Sequence, residues 1–70
     1  MTETQARREL KTLRLTRGWS YDDLTEDINR RLGGDRVSMP TVRRFIQNQT
    51  TPHDTTTHDI CKYLEKVQAA

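Results

Sequence analysis

The sequence predicts an all-α domain of four short helices, and three observations point there. Apolar residues recur at three- and four-residue spacing in four separate stretches. Glycines or runs of turn-forming polar residues divide those stretches. No stretch alternates apolar and polar residues as a half-buried strand does. The chain has 70 residues, 31% hydrophobic and 31% charged, so one small core over a single domain is expected, lying within about residues 6–67. A core of this size rarely yields more than about 3–5 kcal/mol of net stability. That argues against a deep catalytic cleft or a separate cofactor domain.

The first helix is expected over residues 4–17, where Ala6, Leu10, Leu13 and Arg17 share a face and strong helix formers fill the gaps. Gly18 follows as a left-handed terminator. Ser20 then reads as an N-cap with Asp23 three positions on, an acidic version of the capping box. Trp19 and Leu24 flank it as a hydrophobic staple. The second helix should run from Tyr21 to about Leu32, with Leu24, Ile28 and Leu32 inward, until Gly33-Gly34 stops it. The start signal repeats at Val37-Ser38, with Ser38 as cap and Val42, Phe45 and Ile46 as the apolar stripe of the third helix. Pro40 suits the first turn, although it disfavours a helical Met39 and leaves room for a cap one residue later. Asn48 suits a left-handed ending. Residues 49–57 (QTTPHDTTT) are turn-rich. Asp54 or a neighbouring Thr is expected to cap a fourth helix, in which Ile60, Leu64 and Val67 face the core.

Charge is distributed unevenly. Twelve basic and ten acidic residues leave a net +2. Arg7, Arg8, Lys11, Arg14 and Arg17 dominate the first twenty residues, and Arg30, Arg31, Arg36, Arg43 and Arg44 dominate residues 30–51. Between them lie Asp22, Asp23, Glu26 and Asp27. Two basic segments around an acidic one can fold into one basic face, as an anionic partner requires. No apolar run approaches the ~20 residues of a membrane span. MTETQARREL lacks an apolar signal core, and Cys61 is the single cysteine, so a cytoplasmic setting is expected.

Two capped helices with a short connection suggest a helix-turn-helix. With Val42, Phe45 and Ile46 inward, Pro40, Arg44 and Gln47 lie on the opposite side, flanked by Thr41 and Arg43. Arg reads guanine and Gln reads adenine in the major groove, and helix N-termini favour phosphate oxygens. The plain alternative is a solvated helix face, which composition alone weighs equally. The stretch Leu10-x-x-Leu13-Arg14-x-x-Arg17-Gly18-Trp19-Ser20-x-x-x-Leu24, with Val37-Ser38-x-x-Thr41-Val42 and Pro52, resembles phage repressor/Cro-like (lambda-repressor-like) helix-turn-helix domains over residues 6–67. The resemblance implies double-stranded DNA as partner. It implies base contacts from Met39, Pro40, Thr41, Arg43 and Arg44, beside the Gln47 read from the helix face. Backbone contacts are implied for Ser20, Tyr21, Asn48, Gln49 and Thr50. Ser38 at the helix start and Arg36 in the connection are added as phosphate binders. The chain departs from the family in three places. The connection Asn29–Val37 is several residues longer. Ile46 replaces the usual Glu partner of the first-helix Arg, so Arg14 needs another. Thr25 replaces a small alanine.

Other constellations carry less. Asp22, Asp23 and Glu26 fall in the first turns of a helix, where the dipole welcomes acids, so a catalytic or metal role for the acidic run is not expected. His58 and Cys61 are spaced i, i+3 as a zinc site can begin, but no second pair exists. Cys61 reads as a small core residue. Neither cofactor, metal nor catalytic group is expected. The expectation is a sequence-specific DNA-binding transcriptional regulator, a small repressor of phage or mobile-element type. The alternative is a protein-binding module on the same fold, antitoxin-like or an inhibitor. A homodimer is expected at least on DNA, with Tyr63, Val67, Ala69 and Ala70 as its apolar surface. The rival is that Tyr63 and Val67 complete the core of a monomer.

Overall fold

Local signals fix most helix ends. The computed structural model describes residues 1–48 and 54–69. Helix α1 spans Glu3–Arg17, α2 Tyr21–Leu32, α3 Met39–Gln47 and α4 Asp54–Ala69, with no strand among the described residues. Helix α1 begins one residue earlier than the apolar spacing suggests. Thr2 and Gln5 form a reciprocal capping box there, the Gln5 N–H donating to Thr2 Oγ1 at 3.1 Å and the Thr2 N–H to Gln5 Oε1 at 3.0 Å. Gly18 (φ 68°), Gly33 (φ 83°) and Asn48 (φ 55°) end α1, α2 and α3 in the left-handed conformation. Helix α4 starts at Asp54, so Asp54 lies inside the helix and not at its cap. The cap position and the loop before it lie outside the described residues.

All four helices contribute to one core. Ala6 and Leu10 come from α1, Leu24 and Ile28 from α2, Val42, Phe45 and Ile46 from α3, and Ile60, Tyr63 and Leu64 from α4. Each large side chain buried here is worth about 1.5–3 kcal/mol. Trp19, Leu32, Val37, Cys61 and Val67 pack half-buried around this cluster, so the expected staple of Trp19 with Leu24, and its counterpart of Val37 with Val42 at the start of α3, reach the same core. Burial pushes the Cys61 thiol above its ordinary pKa, as suits a packing residue better than a nucleophile.

Two acidic residues are drawn inside, Asp59 on α4 and Asp27 on α2. Asp27 is only 5% exposed. It accepts a hydrogen bond from the Tyr63 hydroxyl at 2.6 Å and from Arg31 Nε at 3.2 Å, and it pairs with Arg30. Burial alone would raise its pKa, but the bonds from Tyr63, Arg30 and Arg31 outweigh it and hold the carboxyl below its ordinary value. The same burial and the neighbouring carboxylate push the Tyr63 phenol up. Tyr63 is therefore a fully buried core residue, which corrects its expected place on an interface. Thr25, also buried, satisfies its hydroxyl by donating to the Tyr21 carbonyl at 2.8 Å, so this position accepts more than alanine.

Candidate nucleic-acid interface

The stripe Val42, Phe45 and Ile46 fixes how α3 is turned. With these three buried, Pro40, Arg43, Arg44 and Gln47 are exposed, and Met39 and Thr41 are half-buried. The helix carries no acid, and among the described residues Arg43 and Arg44 take part in no ion pair. One face of α3 thus offers two unneutralised guanidinium groups beside an amide.

The connection from α2 is held by one side chain that the sequence reading passed over. Asn29 Oδ1 accepts the N–H groups of Arg36 and Val37, both at 2.9 Å. Its Nδ2 donates to the Val37 carbonyl at 2.8 Å. The Asn29 carbonyl accepts the N–H groups of Gly33 at 2.9 Å and Gly34 at 3.0 Å. The longer connection is thereby a closed loop, which sets where α3 begins. An Asn near a helix end, ahead of a Gly-Gly pair, is the faint local signal for it. Arg36 extends from this loop, exposed, while Arg30 and Arg31 are drawn to Asp27.

Ser38 occupies the N-cap position with extended backbone, but its hydroxyl makes no cap bond. It lies 2.8 Å from Thr41 Oγ1 instead. This corrects the expected cap chemistry, and the reason is Thr41: a hydroxyl at the third position engages the serine. Val42 is the first residue of α3 to donate back, to the Ser38 carbonyl at 3.0 Å. Pro40 has no N–H to satisfy.

At the other end of α3, Gln47 Nε2 donates to the Tyr21 hydroxyl at 3.3 Å, which brings the start of α2 to the end of α3. Ser20 adjoins Tyr21 and Asn48 adjoins Gln47, both exposed. Ser20, Tyr21, Gln47 and Asn48 therefore share one edge, while Arg36, Ser38, Met39 and Thr41 form the opposite end. Gln49 and Thr50 lie outside the described residues.

Arg14 lies behind Tyr21. Its guanidinium sits 4.4 Å from the Tyr21 ring centroid, and Nη1 donates to the Trp19 carbonyl at 3.1 Å. These neighbours replace the absent carboxylate, yet Nε is shielded and has no partner. A buried unpaired donor costs about 1–3 kcal/mol. The charge is left unneutralised behind this edge. Opposing it, Asp22 and Asp23 are exposed at the start of α2, and Asp23 closes the Ser20 capping box through bonds of 3.1 and 3.2 Å.

Among the described residues, no group of three or more His, Cys, Asp or Glu could hold a metal ion, and no helix is long and apolar enough to cross a membrane. Compared with known proteins, the chain matches no family model, no curated protein and no solved structure.

Proposed function

We propose that this chain is a sequence-specific DNA-binding regulator of transcription, a small cytoplasmic repressor of phage or mobile-element type, with α2 and α3 acting as a lambda-repressor-like helix-turn-helix. It needs no catalytic residue or cofactor. The observation that carries the reading is the acid-free exposed face of α3, with Arg43, Arg44 and Gln47 outward and both arginines free of ion pairs among the described residues. In this reading Arg44 and Gln47 address base edges, with Met39, Pro40, Thr41 and Arg43 around them. Ser20, Tyr21, Arg36, Ser38 and Asn48 meet phosphates at either end. Such a module alone covers only about 600–1,000 Å² of DNA-facing surface, so two copies on a palindromic site are proposed.

Selection of bound duplexes from a random DNA pool tests this directly. Recovery of one motif is expected, and a pool without any motif above background would defeat the reading. One observation favours a second reading, a protein-binding module. Asp22 and Asp23 stand beside Ser20 and Tyr21, where they repel phosphate. Salt dependence separates the two. Binding to DNA weakens with log slope of about −0.9 per phosphate neutralised, whereas a protein target gives a shallower slope.

A further inference from the structure

With Tyr63 buried and the side chains of Ala69 and Ala70 outside the described residues, Val67 is what remains of the expected α4 surface, and α1 lies beside it. An open groove of about 450 Å³ runs between α1 and α4, walled by Leu13, Leu64 and Val67 and rimmed by Glu9, Thr16 and Arg17. Glu9, Leu13 and Arg17 occur at i, i+4 and i+8, so they form one row along α1. Leu13 is half-buried at its centre, with a carboxylate one turn before it and a guanidinium one turn after.

That row is complementary to its own reverse. When two such helices cross antiparallel at Leu13, Leu13 meets Leu13 and each Glu9 faces the second copy's Arg17. We infer that the α1 row Glu9–Leu13–Arg17, beside the α4 wall, is the contact through which two copies of this chain pair about a two-fold axis. Thr12 and Thr16, short side chains beside the row, permit close approach of the two helices. Glu9 Oε2 accepts a hydrogen bond from Gln68 at 2.6 Å, which holds the carboxylate at the rim and leaves Oε1 for the incoming guanidinium. Arg17 rests 5.8 Å from the Trp19 ring centroid, which keeps it at the other end of the row. The row itself carries one charge of each sign, with Arg8 beside it on the same groove. The two-fold match selects a second copy over an unrelated chain.

The surface also leaves α3 open. Arg7, two residues from Glu9 and hence about 200° around α1, faces the other way and donates from Nε to the Phe45 carbonyl at 2.8 Å. A contact of this length is small, so the dimer is weak and sensitive to salt.

Charge reversal tests the pairing on the full chain without DNA. Glu9 and Arg17 lie about 12 Å apart on one helix, too far for an ion pair within a copy, so coupling between them can arise only across copies. Sedimentation equilibrium from about 10 μM to about 1 mM at low salt is expected to show a dimer for the natural chain. Glu9→Arg and Arg17→Glu should each weaken it by about tenfold or more, and the double variant should restore it. Far-UV circular dichroism checks that each variant is folded, and the milder Arg17→Gln should give a smaller loss in the same direction. A natural chain that stays monomeric throughout, single variants that pair like it, or a double variant that is not restored would each overturn the inference. The inference deepens the proposed two-copy reading only in its call for pairing. A monomer here leaves the DNA-selection result untouched, and a pool without a motif leaves this result untouched.

Discussion

Helices α2 and α3 both follow a serine at the N-cap position and use their polar side chains in different ways. In α2 several polar groups bond to the molecule itself, while Asp22 and Glu26 stay exposed without such a bond. Ser20 and Asp23 close on each other, Thr25 bonds to the preceding turn, Asp27 joins Tyr63, Arg30 and Arg31, and Asn29 secures the following loop. In α3 the polar groups point away, and the helix is held by Val42, Phe45 and Ile46 together with the bond from Arg7 to the Phe45 carbonyl. The contrast separates a scaffold from a displayed surface. It also shows that a capping serine is defined by what stands three residues later, an acid in α2 and a threonine in α3.

The comparison breaks most visibly at Phe45. Because α3 rests on three apolar side chains, Phe45→Ala should cost about 3–5 kcal/mol. That is about the whole net stability of so small a core, so the variant should be largely unfolded at 25 °C by circular dichroism. A cooperative transition near that of the natural chain would show that α3 has other anchors.

Polar anchoring of α2 predicts a different signature. Asp27→Ala leaves the buried Tyr63 hydroxyl without its acceptor and should cost about 1–3 kcal/mol, read by urea unfolding at neutral pH. The native carboxyl is held below its ordinary value of 3.8, so its contribution is complete above that pH and is lost as the pH falls below it. Stability of the natural chain should therefore drop on acidification through this range, and more steeply than that of Asp27→Ala. Equal acid sensitivity in both would remove Asp27 as the cause.

On the displayed side, Arg44→Ala should leave stability within about 0.5 kcal/mol of the natural chain. Binding to the selected duplex should fall by about 1–3 kcal/mol, with much less loss on unrelated DNA. Equal loss on every duplex would make Arg44 a phosphate contact only. The smallest effects concern the caps. Ser20→Ala should cost about 1 kcal/mol, whereas Ser38→Ala, which removes no cap bond, should stay within about 0.5 kcal/mol. Thr41→Glu offers α3 the partner that α2 already has. It should raise stability by a few tenths of a kcal/mol, about the size of a mild cap gain, while weakening DNA binding through its charge.

What was legible in the sequence divides along the same line as the two helices. Interactions spanning three or four residues could be read directly: the Ser20–Asp23 box, the bounds Tyr21–Leu32, the left-handed ends at Gly18 and Asn48, and the stop at Gly33. The outward turn of Arg44 and Gln47 was equally legible, because the inward stripe of α3 dictates it. The hydroxyl of Ser38 was misread, since two partners lay within reach and the sequence does not rank them. Tyr63 and Asp27 lie 36 residues apart, so nothing local announces their bond. The clue was positional: Asp27 falls between Leu24 and Ile28 on the apolar stripe, where an ordinary solvated acid would not stand. Arg7 reaches Phe45 across 38 residues and left no comparable trace.

The Asn29 loop has a calorimetric consequence. Five hydrogen bonds to one residue order the chain from Gly33 to Val37 before any ligand arrives. A connection that folded only on binding would add its own burial to the heat-capacity change, beyond the area of the interface itself. Here titration calorimetry of a ligand at α3 should return a heat-capacity change matched to the contact area alone. Asn29→Ala should make that change larger and the association enthalpy more favourable, while the opposing entropy grows, because ordering of the loop is then moved from folding into binding.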